Sequence, residues 1–374
     1  MSKAAELAAL IGSQSALSNR NLIINGAASV NQRGDSTGVT ATGYHGPDRF
    51  QLLYTDAGTW SISQSSTAPE GFANSYKLDC TTAKSSLASD SRLFVQTKFE
   101  GQDLQHLKKG TSNAVSTTLS FFVRSNKTGT YQVNLEDNDN TRIIGATYTI
   151  SSANTFEHKT ITFAGDTSGA LTDDNGDSLS IMWALVAGTD NSSGAVPTAW
   201  EAKSNTDRGA GLNVNLADST DNEWYITGVQ LEVGEQATPF EHRSFGDELA
   251  RCQRYFERFK RSYSEMGQSS SADATLWAGC SRSGNSGNNQ GVMRYTRKRN
   301  NPTLSVSSAT HINGIFPISP FNTTLSGFDI SGNAGIDSAF INATNNASSA
   351  PGSDCASFVY IPNDSGYLDV DAEL

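Results

Sequence analysis

The sequence predicts a mostly β protein: an antiparallel β-sandwich or jelly roll, with a short N-terminal helix, a linking helix and a smaller C-terminal β domain. Three observations lead there. Short runs of β-branched and aromatic residues recur along the chain, separated by Gly, Asn, Asp and Ser, with no long helical periodicity between them. The chain has 374 residues, more than one core comfortably fills and suited to two domains. Its hydrophobic fraction is 36% and its charged fraction 17%, both low, as in sandwiches whose outward strand positions take small polar residues.

The elements follow in order. Residues 1–20 form the first segment. Ala4, Leu7, Leu10, Ile11, Gln14 and Leu17 recur at steps of three and four, which predicts an amphipathic helix too short to hold alone. It is expected to anchor against another surface. Residues 21–243 read as strand after strand. Leu22–Ile24 runs into the turn dipeptide Asn25-Gly26, and further strands are expected at Leu93–Phe99, Thr118–Arg124, Thr130–Leu135, Arg142–Ile150, Phe156–Phe163, Leu179–Val186 and Trp224–Leu231.

Residues 244–262 predict the linking helix. Ser244 is a fitting N-cap with Asp247 three residues on. Phe245, Leu249, Cys252, Phe256 and Phe259 then trace an apolar seam of two heptads, with Arg251, Arg254, Arg258 and Arg261 on the opposite, solvated face. The seam serves either docking on its own domain or an oligomer axis. Residues 263–374 return to short strands between Gly/Ser/Asn-rich loops, expected as a small C-terminal β-sandwich. There Arg294, Arg297, Lys298 and Arg299 read as a strand edge protected by charge.

Charge and motif content narrow the function. A formal net charge of −11 argues against nucleic acid and against anionic membranes. No run approaches the ~20 apolar residues of a spanning helix, and Ala4–Ile11 is too short for a secretory signal. Asn-x-Ser/Thr sites are therefore expected to stay unmodified. Cys80, Cys252, Cys280 and Cys355 are scattered without metal or disulfide spacing and read as buried, reduced thiols. No nucleophile elbow, zinc motif or phosphate loop accompanies the five histidines, so no catalytic residue and no cofactor is expected. Asp173–Asp177 and Glu136–Asn140 are rich in oxygen ligands. The first stretch has its Gly ahead of the third ligand and Ala184 where a calcium loop needs Glu, so no metal site is assigned.

Two stretches are more specific. The first is Asn21-Leu22-Ile23-Ile24-Asn25-Gly26-Ala27, followed by Val30-Asn31-Gln32-Arg33-Gly34 and Gly46-Pro47-Asp48-Arg49-Phe50. The second runs from Trp224 through Gly228-Val229-Gln230-Leu231-Glu232-Val233-Gly234 to Ala237-Thr238-Pro239-Phe240-Glu241, then Glu248-Leu249-Ala250-Arg251-Cys252-Gln253-Arg254-Tyr255-Phe256. Together they resemble a module of bacteriophage tail-fibre and virion surface proteins, itself similar to carbohydrate-binding jelly rolls with a galactose-binding-like fold. The closing Asp371-Ala372-Glu373-Leu374 is similar to the end of such proteins. In those modules an acidic residue just after Asn-Gly helps hold a structural calcium. Here the positions are Ala27-Ala28-Ser29, so that ligand is missing.

The resemblance implies a non-enzymatic fibre or spike on the virion, made in the host cytoplasm. It implies a homotrimer, contacts to other virion proteins through the N-terminal segment, and adhesion to host-surface glycans. A structural head or tail decoration without sugar binding is the alternative, and a polysaccharide depolymerase a weaker one. Sugar binding needs aromatic faces beside hydrogen-bonding side chains. Trp60 and Trp200 stand beside loop residues and are the candidates for exposed rings; Trp183, Trp224 and Trp277 read as core. Tyr131, Asn134 and Glu136 complete the candidate ligand-binding set, with strand alternation leaving open which side is wet.

Overall fold

The computed structural model describes residues 19–260, 274–281, 288–307, 313–315, 322–329, 334–345, 356–361 and 366–374. The expected N-terminal helix lies outside the described residues, as do the side chains of Trp277, Cys280 and Cys355. The chain divides into two compact units, residues 1–249 with Leu374, and residues 250–373.

The first unit is an antiparallel β-sandwich. Its strands are β1 (Ser36–Val39), β2 (Gly43–Tyr44), β3 (Gln51–Thr55), β4 (Thr59–Ser65), β5 (Ser75–Thr82), β6 (Arg92–Glu100), β7 (Thr117–Ser125), β8 (Gly129–Asp137), β9 (Arg142–Ile150), β10 (Glu157–Phe163), β11 (Asp177–Ala187), β12 (Glu201–Ala202) and β13 (Glu223–Val233). One sheet has the order β1-β4-β5-β13-β7-β10 and the other β12-β9-β8-β11-β6-β3-β2. Alternation drives one face of each into a shared core. Trp60, Trp183, Trp224, Tyr131 and Phe121 are all fully buried there. Phe121 meets Tyr148 and Trp183 edge-on, with centroids 5.2 and 5.9 Å apart.

The two resembling stretches meet in space and close the sandwich. Val229 N–H donates to Gly26 O at 2.9 Å. The Asn21 side chain donates to Val229 O (3.1 Å) and accepts from Leu231 N–H (3.2 Å). A Cβ on Gly26 would lie 2.1 Å from Val229 O, so only glycine fits at this crossing. Asn25 sits at φ 61°, its side chain bonded to Val30 O, Asp48 O and Val30 N–H, while Glu248 accepts from its N–H. The Leu22–Ile24 run is consequently no ladder strand. Single bonds such as Leu22 N–H to Leu231 O take up its backbone, and the chain turns at Asn25 and again at Ala28 (φ 50°).

The second unit holds β14 (Phe256–Lys260), β15 (Ala274–Ser281), β16 (Asn288–Arg294), β17 (Thr303–Val306), β18 (Asn313–Ile315), β19 (Asn322–Asp329), β20 (Ser338–Asn345), β21 (Ala356–Ile361) and β22 (Tyr367–Asp371). Where a sandwich is expected, the chain forms a closed barrel, β15-β16-β20-β19-β18-β21, and a three-stranded sheet, β14-β22-β17. Two further expectations change. The linking helix spans Phe245–Gln253 only, capped as expected by Ser244, whose Oγ accepts from Asp247 N–H at 3.2 Å. Phe256 and Phe259 of the expected seam lie in β14, because the aromatic run Tyr255-Phe256 favours extended chain. Arg258 therefore pairs across the ladder with Asp369 at 2.6 and 2.7 Å rather than facing water from a helix.

The basic cluster is solvated only in part: Arg294 and Arg297 are exposed, while Lys298 and Arg299 are tied into the chain. Lys298 is 1% exposed, with its ammonium 3.0 Å from Glu257, and burial lowers its pKa against the pull of that carboxylate. Arg299 donates to Ala372 O and Glu373 O.

Candidate functional site

Of the five residues singled out for ligand contact, two belong to the core. Trp60 has no exposed surface and its indole donates to Ala57 O at 2.7 Å. The tight turn before it (Asp56 φ 36°, Gly58 φ 80°) makes Trp60 an inward residue of β4, together with Ile62. Tyr131 likewise faces inward, its ring stacked on Tyr148 and its hydroxyl donating to Lys127 O. Neither ring presents a face to a sugar.

Asn134 and Glu136 point the other way, from β8 to the outer side of the seven-stranded sheet, yet both are buried. The segment between β11 and β13 folds back across them. Arg208 grips Glu136 through two bonds, of 2.7 and 3.1 Å, and its guanidinium lies 5.4 Å from the Phe94 ring. Asn134 donates to Arg208 O, Gln132 donates to Asp207 O, and Gly211 N–H donates back to Gln132. These polar side chains are already satisfied by the chain itself, so this face offers no free donors or acceptors at their positions. Trp200 is half-buried. Its indole donates to Ala164 O, and the Lys109 ammonium lies 5.1 Å from its ring.

The outer side of the six-stranded sheet is different. Strand β13 carries a bulge where its register against β7 shifts between Thr227 and Gln230. Gly228 sits there at φ 61°. A Cβ on it would lie 2.7 Å from Phe72 Cζ and 3.0 Å from Phe122 Cδ2, so the missing side chain is what lets these two rings settle over the strand. Phe72 comes from the β4–β5 connection and Phe122 from β7. Phe240 and His242 come from the segment after β13. Phe72 is 5.5 Å from Phe122, 5.0 Å from Phe240 and 5.2 Å from His242. His158, opposite Phe122 in the β10–β7 ladder, lies 4.7 Å from it. The three phenylalanines are half-buried and both histidines exposed. Burial against its neighbours lowers the His158 pKa.

Beside these rings the same face carries a charged cluster. Tyr225 lies between Lys77 and Arg124, which sit 5.4 and 4.5 Å from its centroid. Glu223 accepts from Lys77 at 2.8 Å and from the Tyr225 hydroxyl. Burial alone would raise the Glu223 carboxyl, but those two hydrogen bonds outweigh it and hold its pKa below the ordinary value. The result is a strip of apolar rings bordered by fixed polar groups.

None of the five ring residues was identified from the sequence as a ligand group. Two signals were available. Phe121-Phe122 in one strand must send one ring inward and one outward, and Phe240 lies within the second resembling stretch.

No protein-family model and no curated protein matches this chain. Among solved structures, it is similar to the bacteriophage CBA120 tailspike protein 4 enzymatically active domain (TM-score 0.28, 10% identity, 57% of this chain and 22% of that one). It is similar to the CBM22-1 and GH10 modules of Clostridium thermocellum xylanase 10B with xylohexaose (0.30, 11%, 58% and 29%). It is also similar to the family 11 carbohydrate-binding module of Clostridium thermocellum with a mixed-linked tetrasaccharide (0.27, 11%, 56% and 98%). The chain thus spans about a fifth of the tailspike domain.

Proposed function

We propose that this chain is a bacteriophage virion surface protein, a fibre or spike, whose jelly roll adheres non-catalytically to host-surface glycans through the ring strip of the six-stranded sheet. One observation carries the adhesive part: Phe72, Phe122 and Phe240 keep part of their ring surface in water, flanked by the exposed imidazoles of His158 and His242. Pyranose C–H faces pack on such rings, while imidazole nitrogens and strand hydroxyls bond to sugar hydroxyls. The virion assignment is supported by the resemblance of the Asn21–Gly34 and Trp224–Phe256 stretches. A homotrimer, attached to the virion through the segment before Asn21, would present several such strips at once. Avidity then makes up for a shallow site.

The test is a glycan array and host-cell binding assay on the purified chain and on Phe122→Ala, with thermal unfolding alongside. Binding lost at unchanged stability supports adhesion through the strip. A folded wild-type oligomer that binds no glycan and no cell sinks the reading. A second reading, structural decoration without sugar binding, is favoured by the sealed outer side of the seven-stranded sheet, where Asn134 and Glu136 serve only the chain itself.

A further inference from the structure

At one end of the first unit the Lys108-Lys109 pair is split between two tasks. Lys109 points inward and is 5% exposed. Its ammonium is held by Asp137, by Asp166 at 2.9 Å, and by the carbonyls of Ser168 and Gly169 at 3.1 and 3.0 Å. Arg142 completes the network by binding Asp166 through two bonds. This pins the 108–113 turn against the 168–171 turn. The two abut so closely that a Cβ on Gly110 would lie 2.5 Å from Ala170 N.

Between the turns lies a cleft of about 430 Å³, a size that suits one or two sugar rings. Leu104 and Leu171 back it from the core with little accessible surface, while Ala170, Lys108, Thr111 and Asn113 stand exposed around it. Lys108 is exposed and adopts the left-handed backbone conformation (φ 53°), which disfavours side chains other than Gly and Asn by about 1 kcal/mol. Among the described residues its ammonium has no carboxylate partner, and the Asn113 amide makes no side-chain hydrogen bond. A strained, unpaired cation thus stands at the mouth of the cleft, on a rim held in place from below, in a chain of net charge −11.

We propose that this cleft is a second, separate binding site for a carboxylate-bearing saccharide. The sugar's C–H face would lie on the exposed Ala170 side of the cleft, its carboxylate on Lys108, and its hydroxyls on the Asn113 amide, the Thr111 hydroxyl already donating to Lys108 O. The proposal does not depend on the ring strip. The discriminating pair is glucuronate and glucose, which differ only at C6.

Calorimetric or saturation-transfer titration of the full chain is expected to show glucuronate binding at least tenfold tighter than glucose. Lys108→Gln should remove that preference without changing the melting temperature, and Phe122→Ala should leave it intact. Equal affinity for the two sugars overturns the proposal, as does a Lys108→Gln protein that still prefers glucuronate. Loss of glucuronate binding in Phe122→Ala alone would place the anion on the strip and likewise overturn it. Should Lys108→Gln prove unstable, Asn113→Ala is the second variant, expected to weaken glucuronate and glucose alike.

Discussion

The two sheets of the first unit have outer faces of opposite character. On the seven-stranded sheet, Gln132, Asn134 and Glu136 point outward but are buried under the segment between β11 and β13, each bonded to it. On the six-stranded sheet, Phe72, Phe122 and Phe240 point outward and stay partly wet. Polar residues are hidden on one side and apolar ones shown on the other, the reverse of what burial preferences alone would arrange. A buried polar group tolerates burial only when bonded, and that covering segment supplies the partners. The part of each ring left in water gains nothing for folding, which makes this face the candidate binding side of the comparison.

The sharpest way to break this contrast is to remove the clamp on the sealed face. Arg208→Ala leaves Glu136 buried with only Lys203, 3.5 Å away. Removing one partner of a buried ion pair costs about 3–5 kcal/mol, read as a fall in the denaturant midpoint. The matching change on the open face, Lys77→Ala, removes an ion pair to Glu223 whose two side chains are each 22% exposed. Such pairs contribute about 0–1 kcal/mol. Equal losses for the two variants would contradict the assignment of one face as sealed and the other as open.

The next effect tests why the open face can carry rings at all. Gly228→Ala puts a Cβ into a left-handed backbone position, at about 1–2 kcal/mol, and presses it against Phe72 and Phe122. The expected outcome is a modest loss of stability together with displaced rings. The near-ultraviolet circular dichroism of the variant should change while the far-ultraviolet spectrum does not.

Sequence reasoning reached the sandwich but not the ring strip, for physical reasons. β11 was legible because Leu179–Val186 is an apolar run. Outward Met182 and Ala184 already implied a cover on its second side, which periodicity alone does not identify. Trp60 looked exposed because turn residues precede it, yet the side on which a strand's first residue falls depends on register, and register belongs to the partner strand. The strip draws its rings from three separate stretches, Phe72, Phe122 and Phe240, and depends on a bulge at Gly228 that no composition signal marks. In the second unit, Phe256 and Phe259 suit a helical seam and a strand equally well. The ladder with Tyr367–Asp371, more than a hundred positions away, decides between them.

Acidity separates two layers of the same unit. The His158 pKa is lowered by burial, so between its folded value and the ordinary 6.5 the unfolded chain binds more protons, and stability falls as pH drops through that window. His45 and His106 are lowered for the same reason; His158→Gln should therefore shrink the loss near pH 6 rather than abolish it. Asp166 behaves in the opposite sense. Burial would raise its carboxyl, but bonds from Arg142 and Lys109 outweigh that and hold its pKa below the ordinary value. Its contribution is complete above the ordinary carboxylate pKa and is lost only as pH falls through the lower, folded one. Melting temperature against pH should thus show two descents, and only the upper one should respond to His158→Gln.

The smallest expected change in stability carries the most functional weight. Phe122 is half-buried, touching Phe72 and His158, so Phe122→Ala removes contacts without opening a closed cavity. Its cost should fall well short of the about 3–5 kcal/mol typical of a fully buried phenylalanine. Phe121→Ala, one residue earlier in the same strand, is the natural control. That ring is fully buried against Tyr148 and Trp183, so its loss should show the full cost. If the open face is the adhesive one, Phe122→Ala abolishes glycan and cell binding at near-native stability, while Phe121→Ala loses binding only in proportion to unfolding. The pair isolates the face from the fold, because both side chains leave the same strand and differ only in the side they take.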